Sequence, residues 1–152
     1  RQHMRKMKVG KITFTEAYKA VYEYRQKFPE KAVTFYAQNY PAMGWAVLMA
    51  GGSCPVIPCT DKAFLKDAAI MEVEETNTDD YKRIVKSDIG SIIYSKSGTE
   101  IPVQLSSGKY SLKYIHPSSG KVTMIDKLLK INDVYTLKVP DKKEGIYWFH
   151  KL

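Results

Sequence analysis

Hydrophobic positions fall at helical spacing through residues 13–28, where Ala17, Val21, Tyr24 and Phe28 make an i, i+4, i+7, i+11 stripe. A threonine at 13 or 15 supplies an N-cap, Glu16 sits in the first turn and Pro29 stops the run, so the pattern predicts a helix. Residues 32–37, Ala-Val-Thr-Phe-Tyr-Ala, are β-branched and aromatic, and predict a short strand covered on both faces. Pro41 follows the polar turn Gln38-Asn39-Tyr40 and suits the first position of a second helix. Residues 42–50 are apolar nearly all round, which predicts a buried helix ended by Gly51 and Gly52. Another brief strand is expected at 54–57, and Asp61 caps a third helix over 62–69.

From Met71 onward the texture changes to short alternating runs at 81–86, 91–95, 101–105, 110–115, 122–125, 135–139 and 146–150. Turn signals such as Lys96-Ser97-Gly98, Ser106-Ser107-Gly108 and Pro117-Ser118-Ser119-Gly120 separate them at the spacing of an antiparallel sandwich. The polar, acidic stretch 74–80 divides the two textures. The expected organisation is therefore an α/β part at 1–75, with parallel strands, and an all-β part at 76–152. Two or three strands with their helices leave sheet edges and apolar faces uncovered, so the first part is expected to end something larger or to be completed by a partner. The start at Arg1 points the same way, to an excised piece of a longer chain.

Among 152 residues, 44% are hydrophobic and 26% charged, enough to bury a core and far from the composition of disordered or collagenous chains. The apolar run at 46–50 is far too short for a membrane span, and no apolar segment follows the basic N-terminus as in a signal peptide. The formal charge of +8 raises nucleic acid as a partner. Its distribution argues against that, with 11 basic against 8 acidic side chains in residues 1–75 and 13 against 8 in 76–152. No recognition module accompanies it, so no specific nucleic-acid partner is expected. Cys54 and Cys59 have no companions that would complete a metal site, and read as two buried thiols. Composition and spacing point to no cofactor and leave the oligomeric state open.

Two stretches resemble a known family. Trp-Ala-Val-Leu-Met-Ala-Gly-Gly-Ser at 45–53 is similar to the late-barrel segment of bacterial glycoside hydrolases of the apiosidase-like, Bacteroidetes polysaccharide-utilisation kind. Ile-Ile-Tyr-Ser-Lys-Ser at 92–97, residues 101–105, Gly-Lys-Tyr-Ser-Leu-Lys-Tyr-Ile-His-Pro at 108–117 and Ser-Gly-Lys at 119–121 resemble the small C-terminal β-sandwich of those enzymes. The resemblance covers residues 30–152. It implies the terminal part of a (β/α)8 barrel followed by a small antiparallel β-sandwich, a periplasmic or secreted location, and a plant or host glycan as substrate. It also implies catalytic carboxylates on earlier strands, upstream of this chain, so the chain alone is expected to be inactive. Where related sequences carry a Gly-His-Thr-Tyr-Gly type stretch, this chain has Gly-Ser-Cys-Pro-Val-Ile-Pro at 52–58, and substrate contacts from that stretch do not carry over. The alternative from another class is a non-catalytic carbohydrate-binding or interaction module.

The chain's own acids fit ordinary roles. Glu16, Glu23 and Glu30 lie on or after a helix, Asp61 is a cap, Glu72, Glu74 and Glu75 sit in the connector, and Asp67 likewise takes a structural reading, so no catalytic or metal-ligating residue is assigned. His3, His116 and His150 have no nucleophile motif around them. Trp45 and Trp148 read as core. If 32–37 is a barrel strand, its C-terminal end presents Tyr36, Gln38, Asn39 and Tyr40 at the face where such barrels build their sites. Those four are the candidate substrate-binding residues, with packing and turn formation as their alternative roles.

Overall fold

The computed structural model describes residues 12–35 and 41–152. Helix α1 (Phe14–Lys27) starts at a capping box: Thr13 Oγ1 accepts from the Glu16 backbone N–H at 3.3 Å, and Glu16 Oε2 accepts from the Thr13 N–H at 2.8 Å. Its buried face runs through Ala17, Tyr18 and Val21, so the core-facing stripe is rotated from the predicted one, and Tyr24 and Phe28 are only half-buried. Helix α2 (Pro41–Met49) begins at the expected proline. Buried Met43, Trp45, Ala46, Val47 and Met49 account for its uniformly apolar sequence. Gly44 is required there by close approach, because a Cβ would lie 1.8 Å from the Val56 carbonyl oxygen. The helix ends where Gly51 takes a positive φ and the Gly52 N–H bonds to the Val47 carbonyl at 2.8 Å. Helix α3 (Lys62–Ala68) is capped by Asp61, whose side chain accepts from the Phe64 N–H at 3.0 Å.

Eight strands follow: β1 (Glu72–Glu74), β2 (Tyr81–Lys86), β3 (Gly90–Ser95), β4 (Glu100–Gln104), β5 (Gly108–Ile115), β6 (Val122–Ile131), β7 (Val134–Lys138) and β8 (Gly145–Lys151). Among the described residues all pairings are antiparallel. Six strands form one sheet in the order β1-β2-β3-β8-β5-β6, and β4 pairs with β7 in a second, two-stranded sheet. The chain is thus a β-rich, antiparallel fold with three helices described, and the barrel architecture is not seen in it.

The central position of β8 explains its unbroken Ile-Tyr-Trp-Phe run. Ile146 and Trp148 face the helices, while Tyr147 and Phe149 face the small sheet, so both faces of the strand are buried. The helix-side cluster joins Val21, Trp45 and Phe64 to Ile92, Ile146 and Trp148. The opposite cluster holds Ile93, Tyr110 and Phe149 against Ile101, Val103 and Leu137 of the small sheet. The two parts recognised by texture are therefore joined through one core, and β1 pairs with β2 across the acidic connector.

Several expected features differ. Residues 32–35 enter no strand ladder, and 36–37 lie outside the described residues. Val33 and Phe35 are half-buried while Ala32 and Thr34 are exposed, so one face packs instead of two. The backbone of Val33 bonds to Ser53 in the loop after α2, its carbonyl accepting from the Ser53 N–H at 2.7 Å and its N–H donating to Ser53 Oγ at 3.3 Å. A parallel strand needs neighbouring strands on its edges, and among the described residues none flanks this one. Residues 54–57 are not a strand either: Cys54 has φ of 52°, and Pro55 and Pro58 remove two ladder donors. Cys54 is exposed, Cys59 is buried, and both are free thiols.

Candidate functional site

Tyr36, Gln38, Asn39 and Tyr40 lie outside the described residues, so the structure places none of the four. Helix α2, which follows them in sequence, packs on the sheet through Trp45, whose indole N–H donates to the Pro117 carbonyl at 2.8 Å. A groove of about 800 Å³ runs between the end of α1, the end of α2, the 50–57 loop, α3 and the sheet strands β1 and β2, with Ile84 of β2 in its lining. Leu48, Ile57, Leu65, Met71 and Val73 line it, and Leu65 is 42% exposed.

A polar constellation invisible to periodicity joins α3 to β8. Asp67 is buried, and its Oδ2 accepts from Trp148 Nε1 at 2.9 Å and lies 2.7 Å from His150 Nδ1. Trp148 is sandwiched further by an edge contact with Phe64 and by the Lys113 ammonium 4.0 Å from its ring centre. Every partner of this carboxylate is structural, and among the described residues no third group completes a nucleophile–base arrangement around it. His116 caps a turn, its Nδ1 accepting from the Ser118 and Ser119 N–H groups. His3 lies outside the described residues. Of the sandwich tyrosines, Tyr94, Tyr110 and Tyr147 are buried, so those three form no open platform for a sugar ring.

A second cleft, of about 710 Å³, opens where the edge strand β1 and the end of β2 meet the end of β4 and the β6–β7 turn. Glu72 and Glu74, two residues apart on β1, both line it, opposite Gln104, Ser106 and Asp133. Arg83 of β2 also lines it, though it is only 6% exposed. Its Nη1 donates to the Pro102 carbonyl at 3.0 Å and its Nη2 to Glu74, while the buried Nε has no partner. The opposite wall is fixed by Ser106, which donates to the Ser87 carbonyl at 2.6 Å and accepts from Lys151 Nζ at 2.9 Å. No motif marks these residues in the sequence, because strand pairing alone collects them. Among the described residues no group of three or more His, Cys, Asp or Glu side chains is placed to hold a metal ion. No helix among them is long and apolar enough to cross a membrane.

Comparison with known proteins adds two findings. A family described as a domain of unknown function, DUF6298, matches residues 1–71, the segment that holds α1, α2 and α3 and ends just before β1. Among solved structures, a glycoside hydrolase is similar over 53% of this chain at 13% identity and a TM-score of 0.37. The chain spans 19% of the length of that protein. No curated protein matches the chain.

Proposed function

We propose that this chain is the C-terminal portion of a periplasmic or secreted glycoside hydrolase acting on a plant or host glycan. In this reading its helices end a (β/α)8 barrel and its antiparallel sheets brace them. The observation that carries the reading is a contact between the two stretches that resemble such enzymes. Trp45, at the head of the 45–53 run, donates to Pro117, at the end of the 108–117 run, and the rest of α2 packs on the sheet behind it. The sheet therefore acts as a buttress for the helix. The unpaired segment at 32–35 and the groove between α2, α3 and β1 are the surfaces that preceding β/α units would cover. The chemistry then falls to carboxylates on earlier strands, and Tyr36, Gln38, Asn39 and Tyr40 contribute to the substrate cleft.

The test has two arms. This chain alone is expected to turn over neither aryl glycosides nor plant polysaccharides, whereas the protein extended upstream hydrolyses at least one. In that longer protein, Asn39→Ala or Tyr40→Ala lowers kcat/KM by about tenfold or more, the scale of one or two lost contacts in the transition state, with little change in Tm. Turnover by the isolated chain that disappears when one of its own acids is replaced overturns the assignment.

A further inference from the structure

We infer that β5 and β6, on the helix side of the sheet, form a docking surface for a carboxylated glycan, a linear chain of uronic acids. Strand register builds the surface. Ile146 and Trp148 of β8 face the helices, and pairing sets Ile115 opposite Ile146 and Lys113 opposite Trp148. By alternation Lys109 and Ser111 of β5 share that face. Pairing of β5 with β6 then sets Lys130 directly opposite Lys109 and Met124 opposite Lys113. The helix-side core extends onto these two strands only at Ile115 and Val122. Past it, Lys109 and Lys130 are exposed and Met124 is 44% exposed. Lys113 is half-buried, its ammonium held 4.0 Å from the Trp148 ring centre.

Three cations stand here without a counter-charge. Among the described residues no carboxylate pairs with Lys109, Lys113 or Lys130. Asp67, held against β8 on this side, is buried and already engaged by Trp148 and His150. Asp126 is opposite Leu112, on the face toward the small sheet, and its Oδ1 accepts from the Leu128 N–H. Like charges directly opposite each other weaken a ladder, and lysines on edge strands deter pairing with another sheet. That deterrence accounts for Lys130 on the edge strand β6. It does not account for Lys109 and Lys113, because β5 lies inside the sheet between β8 and β6. The two are about 13 Å apart along β5, and Lys130 flanks Lys109 at about 5 Å. A uronate chain carries a carboxylate on every sugar, so one segment meets all three. The strongly hydrated lysine ammonium suits a carboxylate, whereas a sulfate ester is better matched by a guanidinium, and the described arginines lie on α1 and β2. None of the residues that register places on this face of β5 and β6 is aromatic, so nucleic-acid bases find no ring to stack on. The choice of a glycan otherwise rests on the function proposed above.

The surface is tested on this chain as it stands, so the result does not depend on upstream carboxylates or on whether the extended protein hydrolyses a glycan. Amide shifts are followed by NMR at about 20 mM salt while tetragalacturonate, a sulfated galactotetraose, neutral galactotetraose or a DNA tetranucleotide is added. Tetragalacturonate is expected to shift the amides of Lys109, Ser111, Lys113 and Lys130 with a Kd of about 1 mM, the scale of a few exposed ion pairs. Neutral galactotetraose is expected to leave them unmoved. Lys109→Gln with Lys130→Gln removes two charges from the face and is expected to weaken binding about fivefold. Lys96→Gln with Lys138→Gln removes the same charge at exposed positions after β3 and on β7, and is expected to weaken it by about twofold or less. The inference is overturned if tetragalacturonate at about 10 mM moves none of these amides, if neutral galactotetraose moves them equally, if the two double variants weaken binding equally, or if the sulfated sugar or the DNA binds there more tightly.

Discussion

The indole N–H of Trp148 donates to Asp67 Oδ2 at 2.9 Å, fastening α3 to the strand β8 across 81 residues of sequence. Both side chains are buried, and His150 Nδ1 reaches the same oxygen at 2.7 Å. Removing the carboxylate leaves the buried indole donor without its acceptor. Asp67→Ala is therefore expected to cost about 2–3 kcal/mol, the penalty for a stranded buried donor together with the lost bonds. At this chain length that corresponds to a fall in Tm of roughly 5–10 °C. Trp148→Phe removes the donor, so the double variant should lose less than the sum of the two single losses. Urea midpoints for the four proteins decide it, and strictly additive losses would show that the two side chains are not coupled.

The second expectation concerns alkaline pH. Burial pushes the phenols of Tyr18 and Tyr147 up to about 12. The Tyr147 hydroxyl also donates to the Lys143 carbonyl at 3.0 Å, a bond its ionised form cannot make. An unfolded tyrosine ionises near 10, so above that pH the unfolded chain binds fewer protons than the folded one. The sign follows: the contribution of these groups is complete below about pH 10 and is lost as pH rises through about 12. Tyr18→Phe and Tyr147→Phe remove a titrating group each and should flatten the fall of the urea midpoint over this range. Parallel curves for parent and variants would show that neither phenol is linked to folding.

What the sequence makes legible follows from how local each signal is. The helix caps at Thr13 and Asp61 and the glycine stop after Met49 are read directly, since their bonding partners lie within a few residues. The antiparallel strands after Tyr81 are nearly as clear, because glycine and serine turns punctuate them. β6 runs past the expected end at 125 to Ile131: as an edge strand it is exposed through Lys127 and Leu128, so it carries no alternation to mark its length. β1 is missed because glutamates are poor strand formers and Glu72–Glu74 is held by pairing with Arg83, Ile84 and Val85. The two polar constellations, around Asp67 and around Arg83, depend on register between distant strands. Periodicity carries no information about that register. The apolar α2 was legible as buried, but its partner, the sheet face around Ile92 and Trp148, was not.

The last expectation sets texture against packing. A boundary at 74–80 between two differently patterned parts implies cleavage there before the sheet is touched, and unfolding that is not a single transition. The structure gives this connector partners on both sides. Thr76 Oγ1 bonds to the Tyr81 carbonyl at 3.2 Å, and Asp79 pairs with Lys19 of α1 at 3.5 Å and Lys82 of β2 at 3.4 Å. Behind it, Val21, Trp45 and Phe64 share one core with Ile92, Ile146 and Trp148. Residues 76–152 alone would expose that sheet face to water. The expected outcome is a single transition in which helix content and the fluorescence of Trp45 in α2 and Trp148 in β8 change together. Trp148→Phe and Trp45→Phe assign the two signals, each curve being compared with the far-ultraviolet dichroism of the same variant. The fragment 76–152 is expected to bind hydrophobic dye and to aggregate. A stable, well-dispersed NMR spectrum from that fragment, or midpoints that separate between the fluorescence and dichroism of one variant, would show that the sheet folds without the helices and that the shared core is only a docking surface.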